Sequence, residues 1–404
     1  MRVAIEKSNI FGSVKAQPSK SMAHRLLICA ALSGGVCKIE NISYSNDIIA
    51  TINCLNSLGV RCEQFDDYVV VHGVNILNAL PSKSLNCNEC GSTLRFFIPI
   101  ALLLNKTVTF IGSEKLLSRP LEAYENLCKE NNFVFIKTTN SLAVNGNLTA
   151  GEYNLIGNVS SQYISGMLFA LSVLSGKSII NNTTNLESRS YIDLTISALN
   201  TFGIKAYFEN NNKIIIFGGT YISKNVVVEG DYSNAAFLDA FNYLGGNVNV
   251  LGLNENSLQG DKIYKQYFNQ LKEESPVLDI TNCPDLAPIL FSLAANFNGA
   301  TFVGTKRLQM KESDRANVMK QELEKLGASI EIYDNKVVVK ANKLQKPTTN
   351  LFGHNDHRIV MALSVLLTKI GGEIYGAEAV NKSYPTFFED LLALNCELKI
   401  YEDN

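Results

Sequence analysis

The feature that most restricts how this chain can fold is a pattern repeated six times: a helix-length apolar run, opened by a polar cluster and leading into a short strand. The copies start at Ala23-His24-Arg25-Leu26, Leu94-Arg95-Phe96-Phe97, Tyr163-Ile164-Ser165-Gly166, Asn234-Ala235-Ala236-Phe237, Leu286-Ala287-Pro288-Ile289 and Arg358-Ile359-Val360-Met361. Their spacing, roughly 50 to 75 residues, suits a unit of several elements. A helix apolar on every face belongs in an interior. Six of them predict three buried helices in each of two domains, with sheets and amphipathic helices outside. A solenoid is the other reading of six repeats, and the divergence of the copies argues against it.

A second, amphipathic helix follows most copies. It ends in Leu58-Gly59-Val60, Phe202-Gly203-Ile204 or Leu326-Gly327-Ala328, where glycine is the usual C-terminal stop. Beyond it, Asp66-Asp67, Asn210-Asn211-Asn212 and Asp334-Asn335 separate Val- and Ile-rich runs, as hairpin turns do. Each unit therefore mixes helix and strand.

At 404 residues the chain exceeds what one core usually serves, and 46% hydrophobic residues can fill two. The 36 Lys and Arg against 38 Asp and Glu give no general basic surface for nucleic acid or an anionic membrane, so any anion site must be local. Met1-Arg2-Val3-Ala4-Ile5-Glu6 lacks a signal-peptide pattern, and no run is apolar enough to span a bilayer, so a cytoplasmic protein is expected. The nine cysteines are odd in number and sit in apolar segments, which suits reduced core thiols. Cys87-Asn88-Glu89-Cys90 could be half a zinc site or a redox pair. Without a second pair or a partner at ligand spacing, no metal is expected.

What precedes each apolar helix is more informative. Ser19-Lys20-Ser21 with Arg25, Gly91-Ser92-Thr93 with Arg95, Ser160-Ser161-Gln162, Gly230-Asp231-Tyr232-Ser233, Pro284-Asp285 and Asn355-Asp356-His357-Arg358 stand where free backbone amides favour anions. Any one cluster serves equally well as an ordinary cap with a solvated arginine. The set, joined by Arg119-Pro120, Lys311-Glu312-Ser313-Asp314-Arg315 and Lys382-Ser383-Tyr384-Pro385, suits a multiply anionic ligand. If the run from Lys311 is helical, Lys311 and Arg315 share a face and repel unless an anion joins them; pairing to Asp314 is the bland alternative. No Walker loop, zinc motif or Ser/Cys nucleophile motif competes.

These motifs, with Tyr191-Ile192-Asp193 and in this order, resemble the 5-enolpyruvylshikimate-3-phosphate synthase family over nearly the whole length. The resemblance implies an α/β, two-domain enolpyruvyl transferase fold, an inside-out α/β barrel of six βαβαββ units, three per domain. One domain would be discontinuous, 1–17 plus 229–404, carrying the acid and base residues and the phosphoenolpyruvate side. The inserted domain, 18–228, would carry the shikimate 3-phosphate side, with two hinge crossings and the site between jaws. The family's reaction moves the enolpyruvyl group of phosphoenolpyruvate to the 5-hydroxyl of shikimate 3-phosphate and releases phosphate.

Carried over motif by motif, shikimate 3-phosphate would be held by Lys20, Ser21, Arg25, Ser160, Ser161, Gln162, Ser188 and Lys311, with Asp285 at the reacting hydroxyl. Phosphoenolpyruvate would be held by Lys20, Gly91, Arg119, Gln162, Arg315, Arg358 and Lys382. Asp285 is the expected base, Glu312 the expected acid at the methylene, and Lys20 a possible partner in that work. The resemblance also implies a cytoplasmic monomer without cofactor, metal, nucleic-acid or membrane partner.

Three positions depart from the family pattern: Cys90 where Ser is common, Gln309 where Arg often stands, and Arg307 where some members have Asn. The sister transferase acting on UDP-N-acetylglucosamine typically carries a reactive cysteine on a loop, and Ser113–Arg119 has none. An RNA-end or anion-binding protein on a related unit is the reading from another class; the balanced charge and the presence of Asp285, Glu312 and Lys20 argue against it.

Overall fold

A computed structural model describes residues 1–81 and 84–402. The chain divides into two compact units, Pro18–Glu229 and Met1–Gln17 with Gly230–Asn404.

In the Pro18–Glu229 unit the clearest repeat runs from Glu152 to Gly218. Strand Glu152–Leu155 leads through helix Ser161–Ser172 to strand Gly176–Asn182, and helix Arg189–Thr201 leads to the hairpin Lys205–Asn210 and Lys213–Gly218. The first two strands pair in parallel, Glu152 opposite Ile179, and the second pairs antiparallel with the last, Ile179 opposite Ile215. The sheet order is therefore first, second, fourth, third. The same order recurs in the sheet built from Leu85–Asn86, Val108–Ile111, Val134–Lys137 and Ser141–Asn145. The third sheet takes its parallel edge strand, Val226–Val227, from the far end of the unit, beside Val36–Glu40.

The burial pattern explains the elements. In helix Lys20–Leu32 every residue from Ala23 to Leu32 is buried, so the helix is apolar all round because it is interior. Helix Gly91–Ala101 is buried almost throughout and packs on Ser161–Ser172. Outer helices bury one stripe, such as Ala123, Tyr124, Leu127 and Cys128 of Glu122–Glu130. Strand Tyr68–His72 alternates, with Val69 and Val71 inward. Each buried aliphatic side chain contributes about 1.5–3 kcal/mol.

The other unit repeats the plan. Strands Val277–Asp279, Ala300–Val303, Ser329–Tyr333 and Lys336–Lys340 form one sheet around helices Ala287–Asn296 and Arg315–Glu324. Another joins Leu351–Phe352, Gly372–Tyr375 and Leu398–Tyr401 with Arg2–Ile5 from the N-terminus, Val3 lying opposite both Ile374 and Ile400. That pairing is why the first residues belong with the C-terminal part. The remaining copy is abbreviated: Phe11–Lys15 pairs in parallel with Asn247–Leu251, and the sheet has only these two strands among the described residues. The inner helices here are Tyr232–Tyr243, Ala287–Asn296 and His357–Ile370, the last buried without a break from His357 to Thr368.

The expected stops and turns are present. Gly59, Gly203 and Gly327 follow outer helices with φ of 89°, 85° and 90°, a conformation other residues resist. Eight of the nine cysteines are buried, as core thiols should be. No described helix is long and apolar enough to cross a membrane.

Candidate functional site

Cations stand at the N-termini of inner and outer helices: Lys20 opens Lys20–Leu32, Arg315 opens Arg315–Glu324, and Arg358 is second in His357–Ile370. The helix dipole disfavours a cation there by about 0.3–1 kcal/mol, so helix stability did not put them in place. Each is offset by a carboxylate, and an anionic ligand would satisfy both cation and dipole.

In the Pro18–Glu229 unit, Lys20 Nζ lies 2.6 Å from Asp47 Oδ2, with both side chains mostly buried. Arg25 is 2% exposed and donates Nε to Thr195 Oγ1 at 2.8 Å, Nη1 to the Ser21 carbonyl at 2.6 Å and Nη2 to the Tyr191 carbonyl at 2.8 Å. Burial lowers it to about 10. Three framework bonds use three of its five N–H groups, which leaves a rigid fork with donors for an anion.

Ser160, Ser161 and Gln162 form the start of helix Ser161–Ser172. Ser160 Oγ accepts from Gln162 N at 3.3 Å, and Ser161 is buried. Gln162 is fixed from both ends: Oε1 accepts from Arg95 Nη1 at 2.8 Å, and Nε2 donates to Ser92 Oγ at 2.9 Å. Arg95 also donates to the Pro120 carbonyl at 3.2 Å and lies over the Tyr163 ring. Ser188 is buried and holds φ 54°, ψ 45° just before helix Arg189–Thr201, left-handed geometry that is strained for serine and common at ligand sites. Gly91 lets the guanidinium groups pack close to the backbone: a Cβ there would stand 2.9 Å from Arg119 Nη1, 3.3 Å from Arg95 Nη1 and 3.8 Å from Gln162 Oε1, so any side chain would crowd Arg119. Arg119 is 9% exposed and follows the short helix Glu114–Ser118 in an extended conformation.

In the other unit Asp285 is the centre. Its Oδ1 accepts from Arg315 Nη1 at 2.8 Å and lies 3.3 Å from Lys311 Nζ, and its Oδ2 accepts from Arg358 Nη2 at 3.0 Å. Arg315, 1% exposed, also donates Nη2 to Glu312 Oε2 at 2.6 Å and Nε to Asp356 Oδ2 at 2.9 Å. Asp356 is fully buried; it accepts from Ser313 Oγ at 3.0 Å and caps the last inner helix by accepting from Arg358 N at 3.0 Å. Lys382 Nζ donates to the Asn355 carbonyl at 2.6 Å, in a turn where His354 and Asn355 both have positive φ.

Burial pushes the Asp285 carboxyl up, but Arg358, Lys311 and Arg315 together outweigh it and hold Asp285 well below the usual carboxylate range. Burial opposes the Arg315 charge too, and Asp356, Glu312 and Asp285 reverse that, so it stays cationic. Lys311 is lowered by burial, with Asp285 opposing. Asp261, 2% exposed beside Ser233, whose hydroxyl donates to it, is pushed by burial and then by Asp285 up to about 7.

The structure therefore gathers Asp285, Glu312, Lys311, Arg315 and Arg358 into one network, and separately Gly91, Arg119 and Gln162. Lys311 to Asp314 is not helical, so the shared helix face considered for Lys311 and Arg315 does not form. A 3-10 turn ends at Met310, Lys311 is extended, and Asp314 is the N-cap of a helix that begins at Arg315, accepting from Asn317 N at 3.2 Å. Lys311 and Arg315 still converge, because both reach Asp285. Sequence reasoning gave no reading to Asp47 or Asp261, and placed Arg95 and Asp356 in anion-favouring clusters without naming their contacts. Asp356 was readable as a cap before an apolar helix, whereas Asp47 and Asp261 carry no signal without the fold.

The family model for EPSP synthase (3-phosphoshikimate 1-carboxyvinyltransferase) matches residues 5–391. The chain is 40% identical to the 3-phosphoshikimate 1-carboxyvinyltransferase of Clostridium perfringens, an alignment covering 98% of this chain and 99% of that one. It is 37% identical to the protein of that name in Clostridioides difficile, with 96% of each covered. Among solved structures, EPSP synthase from Acinetobacter baumannii matches with a TM-score of 0.79 at 20% identity over 100% of both chains. The enolpyruvyl transferase NikO from Streptomyces tendae matches with 0.77 at 14% over 98% of both. These two likenesses speak to the fold alone. With a family match spanning residues 5–391 and relatives about 40% identical end to end, the chain belongs to the EPSP synthase family.

Proposed function

We propose that this protein transfers the enolpyruvyl group of phosphoenolpyruvate to the 5-hydroxyl of shikimate 3-phosphate, releasing phosphate, as a cytoplasmic monomer without cofactor. The observation that carries the reading is Asp285, a carboxylate held ionised by three cations within 3.3 Å in a chain of this family. An ionised carboxylate beside the acceptor hydroxyl can take its proton as the oxygen bonds to C2 of phosphoenolpyruvate. The methylene carbon gains a proton in the same half, from Glu312 or Lys20. In the second half the tetrahedral intermediate loses phosphate from C2 and a methyl proton from C3, which restores the double bond.

Lys20, Ser21, Arg25, Ser160, Ser161, Gln162, Ser188 and Lys311 would bind shikimate 3-phosphate, with Asp285 at its hydroxyl. Lys20, Gly91, Arg119, Gln162, Arg315, Arg358 and Lys382 would bind phosphoenolpyruvate. Forked arginine donors match its carboxylate and phosphate, and the absence of a side chain at Gly91 supports the reading because it lets Arg119 sit close to the backbone. The test is phosphate release from phosphoenolpyruvate alone, with shikimate 3-phosphate, and with UDP-N-acetylglucosamine. Release only with shikimate 3-phosphate supports the reading; release only with the sugar nucleotide overturns the acceptor, and silence from folded protein overturns the reaction.

A further inference from the structure

Cys90 looked like half of a Cys-x-x-Cys pair, but the two thiols have different partners. Cys87 Sγ faces the Leu85 carbonyl at 3.9 Å, whereas Cys90 Sγ faces His24 Nε2 at 3.9 Å and caps helix Gly91–Ala101 by accepting from Thr93 N at 3.4 Å. Asp47 completes a group: the ligand atoms of His24, Asp47 and Cys90 all lie within 4.8 Å of one another. Cysteine thiolate, imidazole and carboxylate are the donor set of a zinc-type cation.

We propose that His24, Asp47 and Cys90 form a binding site for a zinc-class divalent cation, and that occupancy inhibits the enzyme by taking Asp47 from Lys20. The ring is already oriented for it. His24 Nδ1 lies 2.8 Å from Thr51 Oγ1, which lies 2.7 Å from Thr93 Oγ1; in the tautomer that donates from Nδ1 to this hydroxyl pair, Nε2 presents its lone pair toward Cys90. Metal-bound histidines are held in this way by the other ring nitrogen. Adjacent donors in a tetrahedral zinc site stand about 3.5 Å apart, so closure takes movements of roughly an ångström, and a fourth position stays open to water.

Binding forms a metal–sulfur bond and releases the thiol proton to solvent, with no redox change. Entry is from the rim, where the Lys20 and Asp47 side chains are 15% and 13% exposed. When the cation takes Asp47 Oδ2, the oxygen now 2.6 Å from the Lys20 ammonium, that contact is lost, and the dication repels Lys20 as well. The inhibitory part of this proposal rests on the role given to Lys20 above; the binding part does not.

The test is titration of reduced, chelator-treated protein with Co2+ and with Cd2+, followed by absorption and by X-ray absorption at the metal. The expected result is one equivalent bound, a thiolate-to-metal charge-transfer band and one sulfur ligand. Cys90→Ser, which keeps a side-chain oxygen for the helix cap, should abolish the band, and Cys87→Ser should retain it. Cd2+ should lower turnover at least tenfold in the parent protein, reversibly with chelator, and much less in Cys90→Ser. Absence of the band, two sulfur ligands, or a band unchanged in Cys90→Ser would overturn the site. A band without inhibition would overturn the link to Lys20 and leave the site standing.

Discussion

Replacing Asp285 by Asn separates two jobs that one carboxylate could perform. The network holds three cations, Lys311, Arg315 and Arg358, against three carboxylates, Asp285, Glu312 and Asp356. Asparagine keeps the shape and leaves the network with one excess positive charge. If Asp285 is the base, turnover falls by the 100- to 10,000-fold that such a loss typically brings, about 3–5 kcal/mol of barrier. The excess charge, meanwhile, should leave the KM for phosphoenolpyruvate unchanged or lower. If Asp285 only orients Arg315 and Arg358, the forks drift and KM rises while kcat changes little.

The assay is steady-state phosphate release with phosphoenolpyruvate varied at saturating shikimate 3-phosphate, alongside urea unfolding. Breaking a fully buried ion pair costs about 3–5 kcal/mol. Asp285 is 19% exposed and Arg315 keeps two other carboxylates, so the expected stability loss is smaller, about 1–3 kcal/mol. A kcat within about threefold of the parent refutes the base role, since even a poor general base exceeds that. Asp285 is ionised far below neutrality, so the acid limb of the parent's rate profile must belong to another group.

Gly91→Ala places a Cβ 2.9 Å from Arg119 Nη1, inside contact distance, so that fork must shift; losing most of one charge-assisted hydrogen bond should raise the phosphoenolpyruvate KM about tenfold or more with a smaller change in kcat. Arg119→Lys keeps the charge but not the fork, and should raise the same KM; an unchanged value in steady-state kinetics counts against both placements. Asp261→Asn tests the buried acid. Its folded value of about 7 exceeds the unfolded one, so the folded state holds the extra proton, and stability from this group falls as pH rises from about 4 through 7. The Asn variant lacks that decline. Relative to the parent it should gain about 1 kcal/mol or more between pH 5 and 8 in urea unfolding, and a constant difference would refute the assignment.

The six apolar helices were readable because an all-round apolar helix has no other home, and burial from His357 to Thr368 is the structural counterpart of that pattern. The hairpins were readable from Asp66-Asp67 and Asp334-Asn335, since turn chemistry is local. The abbreviated sheet of Phe11–Lys15 and Asn247–Leu251 was not, because its strands lie more than two hundred residues apart in sequence and only pairing defines them. The run from Lys311 to Arg315 does not form one helix, for a local reason. Asp314 competes for the backbone as a cap, and a cap ends the preceding segment as surely as it starts the next. Asp47 and Asp356 went unassigned because a carboxylate that holds a cation in place has no spacing signature of its own.

Those holding carboxylates bear on how the chemistry is timed. Arg315 Nη2 donates to Glu312 Oε2 at 2.6 Å, so the proposed acid is held by the same arginine that faces the proposed base, Asp285. Lys20 is likewise engaged, by Asp47 at 2.6 Å. An anionic ligand that draws Arg315 toward itself would lengthen its hydrogen bond to Glu312. Asp285 does not follow the same course, because Lys311 and Arg358 still face it when Arg315 turns away. On the proposed roles, one arginine would then bridge base and acid, and a ligand that moves it would change the surroundings of the two groups unequally.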